Sequence, residues 1–231
     1  TYMNTKHKKP TLTKKQRHKL RVQQVRRQKI FLTCLFLLIV GCILLRFSKF
    51  SGRQKETHQI NAACEAYRDE VSSEAAQYDM SDYVDLILAV MMQESSGQGT
   101  DPMQSSEGAY NTRYPQQPNG ITDPSYSISC GIQELKYALE KAVCTGPTDL
   151  SKIRLALQAY NFGADSYFAY LEENGQTVWT AQSAQAFAQM ASGGTQRDED
   201  DPLHDPAGPW DYGDQYYPDH VLRYYHLDNN S

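Results

Sequence analysis

The chain has 231 residues, 40% of them hydrophobic and 22% charged, with a formal net charge of −4. Residues 1–29 hold eleven Lys or Arg and no acid, whereas residues 56–231 hold 27 acids against 8 Lys or Arg, a net −19. The acidic part excludes binding of nucleic acid or other polyanions through bulk charge, and its 176 residues suffice for one sizeable hydrophobic core.

The first element is the uncharged run IFLTCLFLLIVGCILL, Ile30–Leu45, which Phe47 extends past Arg46. It is slightly shorter than the roughly 20 residues of a typical membrane span, so Lys29 and Arg46 must snorkel. Eleven basic residues before it and four at 46–55 orient the amino terminus inward. A cleaved signal peptide is the competing reading, but no Ala-x-Ala-like site follows the run, which favours an uncleaved anchor. The expected order is a basic cytoplasmic tail at 1–29, a transmembrane anchor at 30–47, a linker at 48–57 and an extracytoplasmic domain at 58–231. The basic tail is explained as the inner flank of the anchor, with no nucleic-acid role.

Helical periodicity continues beyond the linker. Ile60, Cys64, Tyr67, Val71 and Ala75 predict a helix from about Thr57 to Tyr78. Ser81 is placed to cap a second, ending near Glu94. Ser95 to Cys130 is 36 residues with four prolines and four glycines, far beyond the usual loop of a compact domain unless it binds or catalyses. A third helix through Ile132, Leu135, Leu139, Ala142 and Val143 is closed by Gly146 and Pro147. Thr148 or Asp149 opens a fourth, through Leu150, Ile153, Leu157 and Tyr160. Ala164–Glu173 and Thr180–Ala191 supply two more, and Gly193–Gly213 reads as turns. The fold class is mainly α.

Cys34 and Cys42 lie in the apolar run as filler. Cys64, Cys130 and Cys144 leave one disulfide open, with no pairing fixed by the sequence. No CxxC or HExxH string occurs and the six His are scattered, so neither a metal site nor a cofactor is expected.

Glu94 breaks two local rules. In LILAVMMQESSG it shares a helical face with Ile87, Val90 and Met91, and it sits in the last turn, where the macrodipole disfavours an anion. Both effects raise its pKa, as a neutral-pH proton donor requires. Asp101, in GTDPM, is a candidate second carboxylate for glycoside hydrolysis, with Glu107 a weaker rival. A loop aspartate before proline is also an ordinary turn former. SCGIQEL places a glycine and Gln133 at an expected helix start, and LQAYNFGAD ends a helix with Tyr160, Asn161 and Gly163. Amides and phenols of this kind can hold sugar hydroxyls and acetamido groups, or merely cap helices.

In order, QES, GIQ and AYNFG resemble the glutamate, glycine-glutamine and AYNxG motifs of goose-type lysozymes and lytic transglycosylases. More closely, ILAVMMQESSGQGTDPMQSSEG, DPSYSISCGIQELKYAL, LALQAYNFG and YGDQYYPDHVLRYY together resemble the lysozyme-like domain of CwlT-type cell-wall hydrolases of conjugative transposons, over about residues 58–226. The resemblance implies a lysozyme-like domain that cuts the β-1,4 bond between N-acetylmuramic acid (MurNAc) and N-acetylglucosamine (GlcNAc) in peptidoglycan. The family's catalytic glutamate falls on Glu94 and its second carboxylate on Asp101, while Ser95, Gln133, Tyr160 and Asn161 fall on substrate-cleft positions. Peptidoglycan strands, the membrane and the conjugation machinery are the implied partners. A lytic transglycosylase giving 1,6-anhydro ends and a catalytically silent glycan-binding scaffold are the alternatives. Such proteins often continue into an NlpC-type cysteine peptidase domain, and no peptide cleavage is assigned to this sequence.

Overall fold

The apolar run at 86–91 is buried on every side. All six residues from Leu86 to Met91 have no exposed surface, so the helix that carries them, α3 (Val84–Glu94), is a central helix and not an amphipathic one with a wet face. The computed structural model describes residues 59–201 and 204–226, which fall in one unit, Glu56–Ser231. The tail, the anchor at 30–47 and the linker lie outside the described residues. Among those described, no helix is long and apolar enough to cross a membrane.

Short helices surround α3. The helix predicted over 57–78 is two pieces, α1 (Ala62–Glu65) and α2 (Arg68–Gln77). Asn61 explains the first piece: its Oδ1 caps the Cys64 amide at 2.8 Å while its Nδ2 reaches the Ser96 carbonyl at 3.0 Å. The turn after Glu94 is thereby tied to α1. Gly97, at φ +73°, is required there, because a Cβ would lie 2.7 Å from the Cys64 nitrogen. A 3₁₀ turn, Ser81–Tyr83, leads into α3 where a Ser81-capped α-helix was expected.

The long helix α4 (Pro124–Lys141) starts well before its predicted onset. Asp123 caps it and Pro124 occupies the first turn, where a missing N–H is harmless; the proline opens the helix and does not belong to the loop. Gly131 therefore lies inside a helix, and a Cβ there would sit 2.6 Å from Met103 Cβ, so the glycine lets the 95–123 segment pack on α4. Asp149 caps α5 (Leu150–Phe162), Gly163 at φ +85° turns the chain, and α6 (Ala164–Glu173) follows. A capping box of Thr180 and Ser183 opens α7 (Ala181–Ala191). The last helix, α8 (Tyr217–Leu222), has no counterpart among the predicted elements and packs on both α3 and α5. Phe162, Tyr167, Phe187 and Tyr212 form an aromatic cluster under α5–α7, in which Phe162–Tyr167, Tyr167–Phe187 and Phe187–Tyr212 meet edge-to-face and Phe162–Phe187 is tilted.

Among the described residues the sole β feature is an isolated bridge, Gln196–Trp210. Cys64, Cys130 and Cys144 are all free thiols. Cys64 Sγ lies against Met92 Sδ, Cys130 Sγ against the Tyr110 carbonyl, and Cys144 Sγ against Tyr83 Oη and the Gly146 carbonyl.

Candidate active site

Glu94 ends α3 at the floor of a cleft of about 650 Å³ that is also lined by Tyr110, Glu134, Tyr160, Asn161 and Tyr212. Its Oε1 accepts a hydrogen bond from Tyr217 Oη. Burial pushes its carboxyl up to about 7, the charges of Asp214 and Asp101 push the same way, and the Tyr217 bond opposes them. Such an acid is protonated near neutral pH and can give up its proton.

Tyr217 is 2% exposed, and its ring stacks on Tyr160 with centroids 6.3 Å apart. Burial drives the phenols of both well above their ordinary value, with the Glu94 charge adding to each, so they act here as neutral donors. Tyr160 Oη donates to the Met103 carbonyl at 2.9 Å, which fastens the 95–123 segment to α5. Asn161 Oδ1 accepts the Asp214 amide at 2.7 Å, and Gly213 permits that approach, since a Cβ there would lie 2.6 Å from the same oxygen. Asp214 Oδ2 meets His220 Nδ1 at 2.5 Å, which raises the His220 pKa above its ordinary value. The carboxyl-terminal segment is thus locked beneath the cleft by the end of α5.

The structure places Asp101 differently from a water-orienting carboxylate. It is 1% exposed, and both oxygens are saturated: Oδ1 accepts from the Ser105 amide at 3.0 Å and Ser127 Oγ at 2.6 Å, while Oδ2 accepts from the Ser106 amide at 3.1 Å and from Ser106 Oγ. Asp101 organises the 95–123 segment from within, and its charge reaches Glu94 through that wall. Glu107 lines the cleft but is exposed.

Of the remaining expected residues, Tyr160 and Asn161 join Glu94 in the cleft, and two do not. Ser95 is engaged in its own turn, donating to the Pro102 carbonyl at 2.8 Å and accepting from the Gly97 amide at 3.0 Å. Gln133 donates to the Ser129 carbonyl at 3.1 Å and lines an adjoining groove with Tyr78, Arg113 and Tyr126. Sequence reasoning missed Tyr217, Asp214 and Glu134. For Glu134 a signal existed: it lies four residues from both Cys130 and Ala138, which are buried, so it breaks the apolar stripe of α4 as Glu94 breaks that of α3.

Comparison with known proteins assigns the class. Residues 62–225 match the family described as Lysozyme-like, and the chain belongs to that family. It is 35% identical over 169 residues to the bifunctional muramidase/DL-endopeptidase CwlT of Bacillus subtilis, covering 73% of this chain and 44% of that protein. It is also 40% identical over 115 residues to the uncharacterized membrane protein YocA of the same organism, covering 48% of this chain and 45% of YocA. The chain spans about half the length, or less, of these curated relatives. Among solved structures, a Staphylococcus aureus protein described as similar to lipoprotein, NLP/P60 family, superposes with a TM-score of 0.62 at 27% identity, covering 75% of this chain and 56% of that one.

Proposed function

We propose that residues 59–226 form a peptidoglycan muramidase in which Glu94 protonates the bridging oxygen of the β-1,4 bond between MurNAc and GlcNAc. The observation that carries this reading is the state of Glu94: a carboxyl held by Tyr217 on the floor of an open cleft, with its pKa pushed up to about 7. A general acid so placed contributes about 10²–10⁴ in rate. Tyr160 and Asn161 shape the cleft floor around the sugar, and Asp101 keeps the 95–123 wall in place. Hydrolysis is favoured over transglycosylation because a relative that covers 73% of this chain is named a muramidase.

The domain acts outside the cytoplasmic membrane, tethered by residues 30–47, and opens the wall locally for conjugative transfer. The asymmetric basic flanks and the YocA relationship support the tether, and the CwlT resemblance supports the setting. Digestion of purified peptidoglycan followed by mass spectrometry tests the activity. Reducing MurNAc ends are the expected product; predominantly 1,6-anhydro ends identify a lytic transglycosylase, and wall binding without release of muropeptides identifies a glycan-binding scaffold.

A further inference from the structure

A hydrolase must also activate a water molecule, and the residues around Glu94 differ in their freedom to do so. Both oxygens of Asp101 are saturated. Asp214 is committed to the Tyr216 amide and to His220. Glu134 stands apart: it lines the Glu94 cleft from the middle of α4, and its Oε1 is buried with no hydrogen-bond partner. Buried polar atoms in native proteins are almost always paired, and an exception calls for an explanation.

The chain also makes room for this carboxyl. Gly108 lies on the cleft wall, where an added Cβ would fall 1.4 Å from Glu134 Oε1, so a glycine at 108 lets the carboxyl occupy its position.

We propose that Glu134 is the second reacting carboxyl of the cleft and takes the proton from the attacking water. The inference rests on the muramidase reading above. In the step, the water oxygen bonds to the anomeric carbon of MurNAc while the bond from that carbon to GlcNAc O4 breaks. Glu94 gives its proton to the departing O4, Glu134 accepts one proton from the water, and both return to their starting states by exchange with solvent. A single displacement by water of this kind gives a first product of inverted configuration.

The active state needs Glu94 protonated and Glu134 ionised. Burial pushes Glu134 up to about 7, with the Asp101 and Glu94 charges adding and the Tyr110 backbone opposing. Glu94 from α3, Asp101 and Tyr110 from the 95–123 segment, Tyr160 from α5 and Cys130 from its own helix α4 are the titratable groups that sense or set its charge. Activity therefore falls on the acid side as Glu134 is protonated.

The test compares the full chain with Glu134→Gln, Glu134→Asp and Gly108→Ala, using soluble glycan fragments. For Glu134→Gln the expected result is a drop in kcat of about 10²–10⁴-fold, KM within about threefold, and loss of the acid limb of the pH profile. Added azide restores turnover of this variant by forming a glycosyl azide, and Glu134→Asp keeps part of the activity. Gly108→Ala lowers kcat with the carboxyl still present, because it pushes that carboxyl aside; this arm does not depend on how Glu134→Gln folds. A Glu134→Gln enzyme that keeps its kcat, or changes only in KM, overturns the proposal and leaves the muramidase reading intact. A wild-type chain that releases no muropeptides overturns both.

Discussion

Replacing Tyr217 with Phe removes one hydroxyl and leaves Glu94 Oε1 without its donor. Hydrogen bonds to charged groups are worth about 1.5–3 kcal/mol, and one pKa unit corresponds to about 1.36 kcal/mol. The neutral carboxyl keeps part of the same interaction, so the differential effect is about one unit. Tyr217 is the influence that lowers the Glu94 pKa, set against burial and the charges of Asp214 and Asp101. Its removal must move that pKa upward from about 7. In the proposed reaction Glu94 works as the protonated acid, so the alkaline limb of the pH–rate profile should shift by about one unit to higher pH. At the optimum kcat should also fall, because nothing then fixes the carboxyl against the sugar. Muropeptide release from pH 5 to 9 by both proteins measures the shift. An unmoved alkaline limb, or one displaced to lower pH, refutes the assignment of that limb to a Tyr217-bonded Glu94.

Asp101→Asn should act first on stability: the amide turns one saturated acceptor into a donor facing other donors, at about 1–3 kcal/mol, and a thermal melt equal to wild type would contradict its organising role. His220 has a raised pKa from its pairing with Asp214. Its stabilisation is therefore complete below the unfolded value near 6.5 and lost as pH rises through the higher folded value. The gap in denaturation midpoint between wild type and His220→Asn should shrink from pH 6 to 9, and a gap that widens would reverse the sign. Phe187→Ala should cost about 3–5 kcal/mol by emptying the aromatic cluster around Phe162, Tyr167 and Tyr212, readable by urea denaturation.

What could be read from the chain was local. The helices at 150–162 and 181–191 follow from apolar spacing and the caps Asp149 and Thr180, and those at 84–94 and 164–173 from apolar spacing and a following glycine, because each signal lies within a few residues of the element it defines. Glu94 was legible for the same reason, as a carboxyl out of place on its own helix. The start of α4 was hidden because a proline reads as a breaker until its position in the first turn is known. Tyr217 was hidden by distance, since 123 residues separate it from Glu94 and no spacing rule spans that interval. Asp101 shows the limit of analogy between positions: GTDPM offered a second carboxylate, and only the folded loop reveals that Ser105, Ser106 and Ser127 surround it.

In the proposed reaction Glu94 supplies the proton that breaks the glycan bond. This role is tested most directly by digesting purified peptidoglycan with the wild-type chain and with Glu94→Gln, whose amide keeps the shape and removes the acid, and weighing the released fragments. Wild type should release muropeptides with reducing MurNAc ends, and the variant, its melting transition unchanged, should release them about 10²–10⁴-fold more slowly. Equal release by the two proteins would contradict that role.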